Sequence, residues 1–114
     1  MSLVANTGAV ITALLGCLAL LAPDAVSRVL GVRPEGPLGI AEVRATYGGF
    51  FLALGIGCLF TQSVTAFGLV GMAWCGAAVV RALSTLDDQG EAWKHRAGVL
   101  FEAGVGAALL TACL

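Results

Sequence analysis

The sequence predicts an all-α integral membrane protein, an antiparallel four-helix bundle with a short interfacial helix between spans one and two. Three observations carry this expectation. The 114 residues are 59% hydrophobic and only 11% charged, with a mean hydropathy of +0.96. A soluble domain this small buries only about two-thirds of the surface its unfolded chain exposes, too little to hide so many apolar side chains. Four apolar runs are long enough to cross a bilayer, and every charged side chain falls on one side of the membrane they define. The length holds a single domain, residues 1–114.

The first span covers residues 3–22 and contains no charged side chain. At 1.5 Å per residue, roughly 20 helical residues cross a hydrocarbon core about 30 Å thick. Pro23 and Asp24 end it. Residues 25–30 read as a two-turn helix in the membrane interface, with Val26, Val29 and Leu30 on one side and Ser27 and Arg28 on the other. Gly31 is a natural stop, and Arg33, Pro34, Glu35, Gly36 and Pro37 read as a loop. The second span, residues 40–61, begins with Glu42 and Arg44. Thr61, Gln62 and Ser63 form a tight turn before the third span, residues 64–84. A polar connection holds Asp87, Asp88, Gln89, Gly90 and Glu91. Asp88 with Glu91 three residues on fits a capping box, which starts the last helix near Gln89. The fourth span, residues 92–113, carries Trp93, Lys94, His95 and Arg96 in its first turns, with Trp93 suited to an interfacial anchor.

Four spans put both termini on one side and the two longer loops on the other. All thirteen Asp, Glu, Lys and Arg residues belong to the loop side or to the membrane half nearest it. All six Lys and Arg residues lie there and none on the other side, which predicts cytoplasmic loops and both termini outside. The first apolar run lacks the positive n-region of a secretory signal. Leu14-Leu15-Gly16-Cys17 only loosely resembles a lipoprotein cleavage box, so this run is expected to remain a span.

Lipid gives helices no hydrophobic reason to associate, so close contact between small residues matters more. The second span offers Ala41, Ala45, Gly49, Ala53 and Gly57 at four-residue spacing. Span one offers Gly8, Thr12 and Gly16, and span four Gly104, Ala108 and Ala112. These ridges are expected to pack within the bundle, with homo-oligomerisation through one of them as the other reading. Cys17, Cys58, Cys75 and Cys113 fall in apolar spans and form no CxxC pair. They read as buried small hydrophobes, with a bridge between Cys58 and Cys113 the alternative.

The informative residues are the ionisable groups at membrane depth, which in hydrocarbon must pair, hydrate or face inward. Glu42, Arg44, Arg81 and Glu102 fall in one leaflet and balance in charge, and with Tyr47 they form a predicted buried polar cluster. Helical phase places Glu42 on the face of Ala45 and Gly49, pointing inward. Arg44 lies nearly opposite, beside Tyr47 and Phe51, within reach of the headgroups. Arg81 shares a face with Trp74, and its expected partner is Glu102, with Glu42 as a second contact. His95 lies seven residues before Glu102 on the same stripe and is a candidate pH-sensitive group. A single His with scattered acids is a poor metal signal, and no nucleophile–base–orienter arrangement is visible. No basic stretch resembles a nucleic-acid footprint.

The run Glu42-Val43-Arg44-Ala45-Thr46-Tyr47-Gly48-Gly49 resembles the signature of a bacterial family of four-helix membrane proteins known as domain of unknown function 4345. Further points of resemblance are the proline and short helix at residues 23–31, Arg81 at the end of span three, Asp88 and Gly90 in the loop, and Glu102 in span four. More distantly the chain is similar to the DoxX-like four-helix proteins, some associated with quinone-linked redox systems. The resemblance implies a fold and a set of marked positions, with no established activity.

The residues therefore favour a non-enzymatic accessory or scaffold component of the membrane, with no cofactor. The partners expected are membrane lipid and a membrane protein or a second copy. The alternative is a binder or carrier of an apolar small molecule, a quinone or a lipid, whose polar end the Glu/Arg cluster holds. A proton-coupled transporter is a weaker third reading, because four short spans leave little room for alternating access. In a cysteine-free background, Ser2→Cys should be labelled from outside the cell by an impermeant maleimide, and Gln89→Cys only after permeabilisation. Labelling of the latter in intact cells would reverse the orientation.

Overall fold

Lengths and caps of the helices follow from local chemistry. In the computed structural model, which describes the backbone of residues 1–87 and 92–114 and the side chains of 1–86 and 96–114, α1 spans Leu3–Leu21 and α2 spans Pro23–Leu30. The long helix α3 spans Gly36–Thr61, α4 spans Val64–Ser84, and α5 spans Ala92–Leu110 with a closing 3₁₀ turn, Thr111–Cys113. The protein is thus all-α, with four helices long and apolar enough to cross a membrane and a short helix between the first two. It is a small multi-pass membrane protein. The capping box expected at Asp88 and Glu91 lies outside the described residues.

Two starts differ from the sequence expectation for the same reason. Pro23 opens α2, and Pro37 stands in the first turn of α3 instead of a loop. Proline is tolerated there because the first amides of a helix have no partner to lose. Gly31 closes α2 in the left-handed region (φ 75°), its N–H and that of Val32 donating back to Arg28 and Ser27 carbonyls. At the start of α4, Ser63 caps the helix as its Oγ accepts from the Ala66 N–H at 3.3 Å. Within helix α2 the two sides are not cleanly divided between protein and surroundings. Ser27 is buried, its hydroxyl donating to the Pro23 carbonyl at 2.7 Å, while Val29 is 87% exposed. Val26 and Leu30 are half-buried and Arg28 is exposed beside Val29, so the helix presents one apolar and one cationic side chain outward, as suits a membrane interface.

By internal contacts the chain falls into two units, one of Ala9–Phe60 and one of Met1–Gly8 with Thr61–Leu114. In the first, α1 and α3 run antiparallel at close range. A methyl at Gly16 would overlap the Leu52 backbone and lie 2.7 Å from the Gly48 carbonyl oxygen. One at Gly55 would lie 2.7 Å from the Ala9 carbonyl oxygen. Only glycine admits such approach.

Residues Arg44–Phe50 of α3 form a π-helical segment, and this changes which face is inside. The buried positions are Val43, Gly48, Gly55 and Cys58. The five-residue step from Val43 to Gly48 reflects the wider turn, where an unbroken α-helix would step by three or four. The expected inward ridge is consequently turned out. Ala41, Ala45, Gly49 and Ala53 are exposed and Gly57 is half-buried, whereas Gly8, Thr12 and Gly16 of α1 are buried as expected.

In the second unit α4 and α5 are antiparallel neighbours. Phe67, Val70, Gly71, Trp74 and Ala78 form the buried stripe of α4. Opposite them lie Val105, Gly106 and Leu109 of α5. Closest approach comes at Gly71 and Gly106, where a methyl on Gly106 would lie 3.0 Å from the Gly71 carbonyl oxygen. Gly104, expected on the packing ridge, is exposed and faces open space, and Ala108 and Ala112 are half-buried. In this unit the first turns of α1 meet α5 at Gly8 and Leu109. Asn6 accepts a hydrogen bond from Gln62 Nε2 at 2.9 Å. All four cysteines are free thiols, with only Cys58 buried.

Replacing Gly55 or Gly106 by leucine should destabilise the protein by about 1–3 kcal/mol through overpacking. Gly104→Leu should leave the melting temperature in detergent nearly unchanged. Equal losses at all three positions would contradict the assigned faces.

Candidate functional site

The packed stripe of α4 continues one turn beyond Ala78 to Arg81, so the arginine stands on the face that meets α5. On α5 the corresponding stripe runs Gly98, Glu102, Val105 and Leu109. Arg81 Nε donates to Glu102 Oε1 at 2.6 Å, and Nη2 approaches Oε2 at 3.5 Å. The expected pair therefore forms, as a fork with one short arm. Its side chains are 32% exposed at Arg81 and 12% at Glu102, so the ion pair is part-buried instead of fully buried. Trp74, two turns before Arg81 on the same face of α4, meets the Phe101 ring edge to face with centroids 6.1 Å apart.

Gly98 is the residue that sequence reasoning missed here. A methyl at this position would lie 2.8 Å from Arg81 Cδ and 3.1 Å from its Nε. The arginine stem lies across α5 where there is no side chain, which lets it reach a carboxylate one turn further along. The signal was present in the four-residue spacing of Gly98 and Glu102, which share a helical face.

The other three residues of the expected cluster sit in the first unit, at the loop end of α3. Glu42 and Arg44 are exposed there and Tyr47 is half-buried. The inward direction expected for Glu42 is corrected by Val43, which takes the buried position beside it and leads into the π segment. The Tyr47 ring stands edge-on to Phe51 at 6.0 Å. Glu42 and Tyr47, with Arg33, Pro34, Glu35 and Thr46, line an open recess of about 320 Å³. Arg33, Glu35 and Thr46 were not singled out from sequence, because only the fold of the loop over the start of α3 brings them to Glu42. The His95 side chain lies outside the described residues.

Chemically, the α4–α5 site is a charge-neutral, part-buried ion pair. The α3 recess is a polar surface of mixed charge. Among the described residues, no three His, Cys, Asp or Glu side chains converge to hold a metal ion. No protein-family model, no curated protein and no solved structure matches the chain.

Removing one member of the pair leaves the other charge without its partner in a low-dielectric setting. Glu102→Gln and Arg81→Gln should each lower stability by about 1.5–3 kcal/mol, the range for hydrogen bonds to charged groups. Gly98→Val should reproduce much of that loss by blocking the arginine stem. Unchanged melting temperatures in all three variants would rule out a stabilising role for the pair.

Proposed function

We propose that the protein is an accessory or scaffold component of a membrane assembly, working through helix–helix contact with no chemistry of its own. The observation that carries this reading is the ridge Ala41, Ala45, Gly49 and Ala53. It has the spacing at which membrane helices approach closely, and it is exposed while the glycines at the internal crossings of α1, α3, α4 and α5 are consumed by the fold. The occupant we assign to it is a helix of a partner membrane protein. The excess of Lys and Arg on the loop side supports an orientation with cytoplasmic loops and outer termini in a bacterial inner membrane. The resemblance of residues 42–49 to a family of small four-helix membrane proteins is in keeping with this reading.

The test is native mass spectrometry after extraction in mild detergent. The chain should travel with a stoichiometric second membrane protein. Gly49→Leu and Ala53→Leu should release that protein without lowering the melting temperature. A monomeric wild type would refute the proposal, and a homodimer broken by the same substitutions would reassign the ridge to self-association.

A further inference from the structure

We propose that the recess at the loop end of α3 binds a phospholipid headgroup carrying both a phosphate and a primary ammonium. Depth in the membrane is the first support. Helix α3 has 26 residues, more than the roughly 20 that cross the hydrocarbon. Counting back from Thr61 at about 1.5 Å per residue, Glu42 lies about 28 Å away along the axis. That distance puts it at the boundary between acyl chains and headgroups. A carboxylate exposed at that depth is costly unless something cationic meets it.

The protein does not supply that cation. Among the described residues, neither Glu42 nor Glu35 forms an ion pair, and neither does Arg33. All three are exposed and line the same recess, with Thr46 and Tyr47 alongside. Two carboxylates and one guanidinium leave the recess with an excess negative charge. A purely anionic headgroup would be repelled by the carboxylates, and a lone cation would leave Arg33 unused. A headgroup with an ammonium for Glu42 and Glu35 and a phosphate for Arg33 satisfies all three. A primary ammonium can also donate hydrogen bonds to carboxylates, which a quaternary one cannot.

The shape of the site suits a lipid lying in the interface. The recess is open, and Val32, Pro34 and Val43 give it apolar walls. Gly39 packs so tightly on Pro34 that a methyl there would lie 2.9 Å from the proline carbonyl carbon, which holds the loop over the helix start. Helix α2, just before that loop, exposes Val29 and Arg28 side by side, the mixed apolar and cationic surface that suits a segment lying in the interface.

The full chain in detergent is titrated with equal amounts of phosphatidylethanolamine, phosphatidylcholine and phosphatidylglycerol, and bound lipid is read by native mass spectrometry. Losing one charge-assisted hydrogen bond costs about tenfold in affinity. The wild type should therefore retain phosphatidylethanolamine about tenfold better than either competitor. The double variant Glu35→Gln/Glu42→Gln should bring phosphatidylethanolamine and phosphatidylcholine to parity. Arg33→Gln should weaken all three lipids together. Both sets of side chains are exposed, so melting temperatures should hold, and Glu102→Gln should leave the lipid preference intact. Equal retention of the three lipids by the wild type, or a preference that survives the double variant, would overturn the proposal. So would displacement of the lipid by soluble glycerophosphoethanolamine at equal concentration, since the site would then read the free headgroup.

Discussion

In a bilayer, helices gain nothing by hiding leucines from one another, because the surrounding acyl chains are as apolar as the side chains themselves. What remains is the contact of backbone with backbone, and that is available only where side chains are absent. Gly16, Gly48 and Gly55 supply it between α1 and α3, and Gly71 and Gly106 supply it between α4 and α5. Much else in the molecule follows from this constraint. The buried side chains include many small ones, such as Ala5, Ala9, Ala19, Thr12 and Ala78, while Leu21, Phe60 and Leu100 stand outside. In water that distribution would be inverted. Here the large apolar side chains meet lipid and the small ones meet protein.

The second constraint is the π segment of α3. One wide stretch between Arg44 and Phe50 inserts an extra residue into the helical count. It allows Val43 and Gly48 both to be buried although they are five residues apart, with Gly48 set against Leu20 of α1. The same shift leaves the small-residue ridge and Glu42 on the exposed side. The ridge to which we assign a protein helix thus owes its exposure to one local departure from α geometry, whereas the recess also needs the loop before α3.

The Arg81–Glu102 pair plays a different part. The glycine crossing at Gly71 and Gly106 lets α4 and α5 approach, but apolar contact alone tolerates sliding along the axis. A 2.6 Å hydrogen bond between one guanidinium nitrogen and one carboxylate oxygen singles out a register, and Gly98 keeps the path of the arginine clear. An ion pair placed among apolar groups serves specificity better than it serves stability, since both charges must first be stripped of water.

Element identity was legible from residues alone. Hydropathy and length mark the four spans, Ser63 and Gly31 mark a start and a stop, and the seven-residue spacing of Trp74 and Arg81 points to the face that meets Glu102. Helical phase failed where it was extrapolated through the RATYGGF stretch of α3, because a count of 3.6 residues per turn cannot anticipate a wider turn. It failed again on α5, where Gly104 and Gly106 are equally small and only the position of Cys75 and Gly71 on α4 selects Gly106. Composition and periodicity, being properties of single segments, therefore decided that this chain lives in a membrane and where its helices lie. Which small residues touch and which way Glu42 faces were decided by tertiary structure, since in an apolar solvent those choices depend on the shape of the neighbouring helix.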